Sequence, residues 1–284
     1  MWRHAPCRIT IARMRPVPFH AGIGLVLAGG LVAIVAALTL GFLFPASAAD
    51  VATLAGAQAA GVVAALALGI RVYEPGVDLR TAVRFEPVTS PVAALSLLLG
   101  LSMYVPLTEM GNAAQLVVPM SDRELATFRQ VLEPSGAGRA LVALLATVVV
   151  APLTEEAFFR GFLLRGLRRA HGPRIALLVT SVLFAAAHAS VWRAPGAFVA
   201  GVAFGALSLA SRSTVAPLLA HAACNAAPFV VPARLVAVPG VNVVGATPRH
   251  APLVLVVATT AVALAAAVAL ALVLRRARRP EDAR

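Results

Sequence analysis

The chain has 284 residues, of which 60% are hydrophobic and 13% charged, and its mean hydropathy is +0.88. A soluble domain carries about a quarter charged residues, so the soluble classes are excluded. The net charge of +12 is an excess of arginine over acid, with no lysine anywhere. In so apolar a chain this excess points to membrane-surface loops and not to nucleic acid.

A hydrocarbon core of about 30 Å needs roughly 20 apolar residues per helix. Stretches at or near that length recur at Ala21–Phe44, Val51–Ile70, Pro91–Thr108, Ala140–Phe159, Ile175–Trp192, Ala194–Ser211, Ser213–Ala233 and Ala251–Leu274. The expected fold is all-α: a polytopic membrane bundle of about eight transmembrane helices. Its expected regions are a basic segment (1–20), N-terminal helices with an external loop (21–139), a core (140–233), and a last helix with a basic tail (234–284).

The first span follows an Arg-rich start and precedes Ala46-Ser47-Ala48, a pattern that resembles a signal peptide. Its apolar run of 24 residues exceeds the usual h-region of about 7–15, so an uncleaved span is expected. Between the third and fourth spans lies the longest polar segment, Glu109–Arg139. Within it Ser121-Asp122-Arg123-Glu124 has capping-box spacing, and Leu125, Phe128 and Leu132 share one helical face, which predicts a short interfacial helix. The basic segment Arg160–Arg174 ends in His171-Gly172-Pro173, a helix stop and turn, and its arginines are expected at anionic headgroups. Spans five to seven are separated by little more than Arg193 and Arg212 and should run tightly up and down. With both termini on one side, 18 of the 24 arginines fall on that side. The positive-inside rule then makes both termini cytoplasmic in a plasma-membrane protein.

Ionisable groups within a span are costly, and by default they suggest function. Here they are Glu155 and Glu156 in span four, His188 in span five, and His221 with Asn225 in span seven. Glu156 and Arg160 are four apart, with the acid first, which favours an intrahelical ion pair. Glu155 points elsewhere on the helix and needs a partner on another helix, water or a proton. His188 follows Phe184 by four residues, and His221 and Asn225 share a face, so packing and interhelical hydrogen bonding are open for each of them. Together they provide a base, two imidazoles and a neutral donor, the parts that peptide hydrolysis needs. No Gly-x-Ser-x-Gly turn is present, and no span contains an aspartate.

Three motifs then stand in order on consecutive spans. They are Glu155-Glu156-Ala157-Phe158-Phe159-Arg160, Phe184-Ala185-Ala186-Ala187-His188 and His221-Ala222-Ala223-Cys224-Asn225. They match Glu-Glu-x-x-x-Arg, Phe-x-x-x-His and His-x-x-x-Asn. From about Ala140 to Pro228 the chain resembles the CPBP (Abi) family of intramembrane proteases, which includes the CAAX prenyl endopeptidases. The resemblance implies that Glu155 activates water with His188, that His221 and Asn225 stabilise the oxyanion, and that Glu156 and Arg160 support the first motif. It implies a membrane-associated protein or peptide as substrate. Zinc held by a Glu/His/His set and a metal-free glutamate mechanism both remain open, and no His-Glu-x-x-His motif is present. Two other readings compete: a non-catalytic immunity or scaffold protein, and a proton-coupled transporter.

Counted from the inner ends of their spans, Glu155 falls roughly 8 Å deep, His221 roughly 12 Å, Asn225 roughly 18 Å and His188 roughly 21 Å. Convergence therefore requires span five to tilt or to start below the surface. The expected site is a cavity in the inner half of the bilayer, open to the cytoplasm.

Overall fold

The computed structural model describes residues 14–45, 50–243 and 247–278. Cys7, the basic residues up to Arg13, the Ala46-Ser47-Ala48 triplet and the tail from Arg279 lie outside the described residues.

Among the described residues ten helices follow in order: α1 (Phe19–Leu43), α2 (Val51–Tyr73), α3 (Leu79–Val83), α4 (Ser90–Gln115), α5 (Asp122–Leu132), α6 (Ala137–His171), α7 (Pro173–Ala187), α8 (Ala194–Ser211), α9 (Val215–Val230) and α10 (Leu253–Arg278). Six of them are long and apolar enough to cross a membrane: α1, α2, α4, α6, α8 and α10. The shorter apolar helices α7 and α9 complete eight apolar elements, so the chain is a multi-pass helical membrane protein.

Contacts at the helix ends show how the elements alternate. At one end, Val17 N–H donates to the Gly166 carbonyl, Phe19 stacks on His171, and Arg15 N–H donates to the Tyr73 carbonyl. These contacts gather the start of α1 and the ends of α2 and α6 at an arginine-rich end. At the opposite end, Asn112 of α4 donates to the Gly240 carbonyl and Tyr104 to that of Val241, at 2.8 and 2.9 Å. Glu109 also accepts from the Ala251 N–H there. The segment between α9 and α10 is thereby tied over the end of α4.

Small residues allow the closest crossings. A Cβ on Gly29 of α1 would stand 2.9 Å from the Gly61 carbonyl oxygen of α2. One on Gly100 of α4 would collide with the Ala220 carbonyl of α9. Between apolar helices in lipid, packing and not burial from water drives association, so backbones must come close.

The interfacial helix α5 forms with both halves of its capping box, Ser121 Oγ accepting from Glu124 N–H and Glu124 accepting from Ser121 N–H. Its apolar face buries Leu125 and sets Phe128 edge-on to Trp192, with ring centroids 4.8 Å apart.

The boundary expected at Phe159 is corrected. Helix α6 continues to His171, where Gly172 at φ 80° ends it and Pro173 starts α7. Phe162, Leu163, Leu164 and Leu167 are buried, and this packing carries the helix onward. Arg160 is likewise not at the headgroups: it is 2% exposed. Arg165 is drawn inward to Glu74 at 2.9 Å. Span five is also shorter than expected, since α7 stops at Ala187 with His188 as its cap.

Candidate active site

Helix α6 brings the two glutamates to the middle of the bundle between two π-helical stretches, Leu145–Val150 and Ala157–Leu163. A π-turn shifts the backbone ladder by one residue, and such bulges are frequent at functional sites. Here the first stretch presents the Thr147 carbonyl to α9, where it accepts from Asn225 Nδ2 at 2.9 Å. An amide nitrogen has two protons, so one remains for another acceptor.

Glu156 is fully buried, and its Oε1 accepts from Arg160 at 2.8 Å and from His221 Nδ1 at 2.9 Å. The Arg160 guanidinium lies 4.2 Å from the centre of the Phe184 ring, a cation–π contact in a desolvated place. His221 stacks on Phe204, with centroids 5.2 Å apart. The ion pair, the two rings and the imidazole thus hold one another.

Glu155 faces another way. Its Oε1 accepts from Gln58 of α2 at 2.7 Å, and its Oε2 is buried without a hydrogen-bond partner among the described residues. His221 Nε2 stands 4.0 Å from that oxygen. His188 Nδ1 lies 2.8 Å from the Phe184 carbonyl oxygen. A carbonyl only accepts, so Nδ1 carries the proton, and neutral His188 has its lone pair on Nε2.

The same reasoning applies to His221. Glu156 Oε1 already accepts from Arg160, so it is an acceptor for Nδ1–H as well. His221 can therefore donate from Nε2 only as an imidazolium.

Two cavities border this cluster. The larger, of about 450 Å³, is lined by His188, His221 and Asn225, by Arg193 and Trp192, by Phe128 of α5, and by the loop residues Gly240, Val241 and Arg249. The smaller, of about 100 Å³, lies among α1, α2 and α6 and is lined by Gln58, Glu155 and His188. His188 borders both.

The cavity expected to open at the arginine-rich end instead reaches the opposite, loop end, because α6 and α3 fill the other side. The depth mismatch disappears for a related reason. With α6 ending at His171, Glu155 lies roughly 24 Å from that end, and His188 roughly 22 Å from the start of α7. Helix α9 starts higher, since Thr214 at its cap donates to the Val83 carbonyl at 2.6 Å, and Val83 packs against Gly161 of α6.

Three participants were not singled out in the sequence. Gln58 was detectable as the one amide within span two. Arg193 and Trp192 sit in a short turn that gave no signal. Glu124 of α5 receives Trp192 Nε1–H at 3.0 Å and Ser190 Oγ–H at 3.2 Å, which fixes that turn beside His188.

Zinc would require Glu155, His188 and His221 to surround one point. Among the described residues no three His, Cys, Asp or Glu side chains are grouped closely enough to hold a metal ion. The observed set does not fit the ion.

The fold and the cluster define a multi-pass membrane protein with paired carboxylates, two imidazoles and an amide around an internal cavity. Residues 137–227 match the family model described as type II CAAX prenyl endopeptidase Rce1-like. That stretch is similar to the CAAX-type endopeptidases, and all three motifs fall within it. No curated protein and no solved structure matches the chain.

Proposed function

We propose that the protein is an intramembrane endopeptidase that cleaves a membrane-associated protein or peptide of the plasma membrane. The observation that carries this reading is the Glu155 Oε2 atom, buried without a hydrogen-bond partner among the described residues, on a glutamate that lines the smaller cavity together with His188. Glu156 and Glu74 also leave Oε2 without a hydrogen-bond partner, but each is paired with an arginine and neither lines a cavity, whereas Glu155 has no arginine partner among the described residues and does line one.

In the proposed reaction, water held by His188 Nε2 gives a proton to Glu155 Oε2, and its oxygen adds to the scissile carbonyl. The carbonyl electrons move to oxygen, and that charge is met by imidazolium His221 and by the second Asn225 amide proton. Collapse breaks the C–N bond, and the proton on Glu155 passes to the leaving amine. Glu156 keeps His221 oriented by accepting from Nδ1, and Arg160 holds Glu156 in place, while Phe184 and Phe204 pack around them.

Membrane peptides compared between cells making the wild type and cells making Glu155→Gln supply both the substrate and the test. Fragments that depend on Glu155 are expected, and identical peptide sets would overturn the reading.

Losing one oxyanion donor lowers turnover by about 10²–10³. Asn225→Ala is therefore expected to be slow and not dead, with KM little changed. A wild-type kcat in this variant would confine Asn225 to its bond with Thr147.

The arginine bias supports a cytoplasmic arginine-rich end, and on that reading the larger cavity faces the outside. Reporters fused after Arg279 should read cytoplasmic, and those inserted within Glu109–Arg139 external. The reverse pattern would turn the cavity inward.

A further inference from the structure

At the arginine-rich end, on the far side of Arg160 from the reaction cluster, two turns and helix α6 converge on a hollow. Arg84 ends α3 at φ 52° and Arg212 ends α8 at φ 55°, both left-handed. Their backbones are locked together. Thr214 N–H donates to the Arg84 carbonyl at 3.0 Å, Thr214 Oγ1 to that of Val83, and Ser213 Oγ to that of Glu86 at 2.6 Å. Left-handed backbone is unfavourable for a side chain as large as arginine, and here it is imposed by this clasp. The clasp brings Arg84 and Arg212 to the hollow, and Arg168 of α6 lines it with them.

None of these three guanidiniums makes a side-chain hydrogen bond or an ion pair within 4 Å among the described residues. Arg165, which also lines the hollow, is engaged by Glu74 and by the Ala82 and Gly161 carbonyls. Glu86 is near enough to favour the charge on Arg84 but forms no bridge with it. Burial, and then the neighbouring Arg168 and Arg212, push the Arg84 guanidinium below its ordinary value, as expected for like charges held together without an anion. Arg160 borders the hollow from inside, and its second terminal nitrogen is buried without a partner.

We propose that Arg84, Arg168 and Arg212 form a binding site for a phosphate group. Arginine forks match phosphate oxygens, and this site offers three of them without a competing carboxylate contact. The hollow, at about 10 Å³, has room for about one water. The phosphate therefore sits at its mouth, where Arg168 and Arg212 are exposed and Arg84 is half-buried. A phospholipid headgroup and a free phosphate compound share this chemistry. The site is independent of the proposed protease activity.

The test uses the full chain in nanodiscs. One arm compares thermal stability in phosphatidylcholine discs with and without phosphatidylglycerol. The other titrates pyrophosphate into the pure phosphatidylcholine discs. Each variant is read as the ligand-induced shift from its own baseline, and retained helical circular dichroism checks the fold. One arginine near an anionic surface contributes about fivefold in affinity, so Arg84→Gln, Arg168→Gln and Arg212→Gln should each weaken binding by about fivefold. Arg129→Gln, on α5 at the other end, should bind as the wild type does. Arg168→Gln replaces an exposed helical side chain and keeps the test open if the two turn variants fold poorly. Loss confined to the phosphatidylglycerol arm identifies a lipid headgroup, and loss in the pyrophosphate arm a free phosphate. No stabilisation in either arm, or an unchanged response in Arg168→Gln, would overturn the site.

Discussion

Glu155→Gln is expected to abolish detectable cleavage while leaving a folded, normally abundant protein. The amide preserves the shape of the carboxylate, and its oxygen can still accept from Gln58. What disappears is the ability of Oε2 to take a proton. A positioned general base contributes about 10²–10⁴ in rate, so turnover on a verified substrate should fall by at least that factor. The melting temperature should move little, because Glu155 takes no part in the buried ion pair. Full turnover would remove Glu155 from the chemistry. A large fall in melting temperature would instead mark it as a structural group.

Glu156→Gln should behave in the opposite way, with stability lost along with activity. Glu156 and Arg160 are 0% and 2% exposed, so neither charge has water to fall back on. Breaking a buried pair by removing one partner costs about 3–5 kcal/mol, a large part of the stability of a marginally stable fold. His221 would also lose the acceptor that fixes its ring. A thermal melt of the purified single variant checks the first effect. A double variant checks its cause: Glu156→Gln with Arg160→Met removes the stranded cation and should melt above Glu156→Gln alone. If the double variant melts lower, the packing of Arg160 on Phe184 outweighs its charge.

The sequence by itself determined the material and the count of the fold. Runs of apolar residues of bilayer length can be satisfied only by helices in lipid, because every backbone group must find its partner within the segment. The interfacial helix was legible because a capping box is a local hydrogen-bond pattern, written within four residues from Ser121 to Glu124. The helix stop at Gly172 and Pro173 was legible for the same local reason. The polar residues of the cluster were legible because charge and imidazole are conspicuous inside apolar runs.

Tertiary structure decided everything that depended on what lies opposite. Arg160 read as the start of a surface segment, since an arginine ends an apolar run. Its pair with Glu156 was legible as an i, i+4 spacing, but only the facing Phe184 and Phe204 make it a buried residue within a helix that runs on to His171. Gln58 is one amide in an apolar helix, and its bond to Glu155 exists because α2 packs on α6. The direction of the larger cavity followed neither hydropathy nor arginine count. It was set by α3 filling one side of the cluster and by Asn112 and Tyr104 holding the Gly240–Val241 segment at the other. Local signals are carried by neighbours in the chain, whereas pairing of a buried charge and the opening of a cavity are properties of surfaces that meet only in the folded bundle.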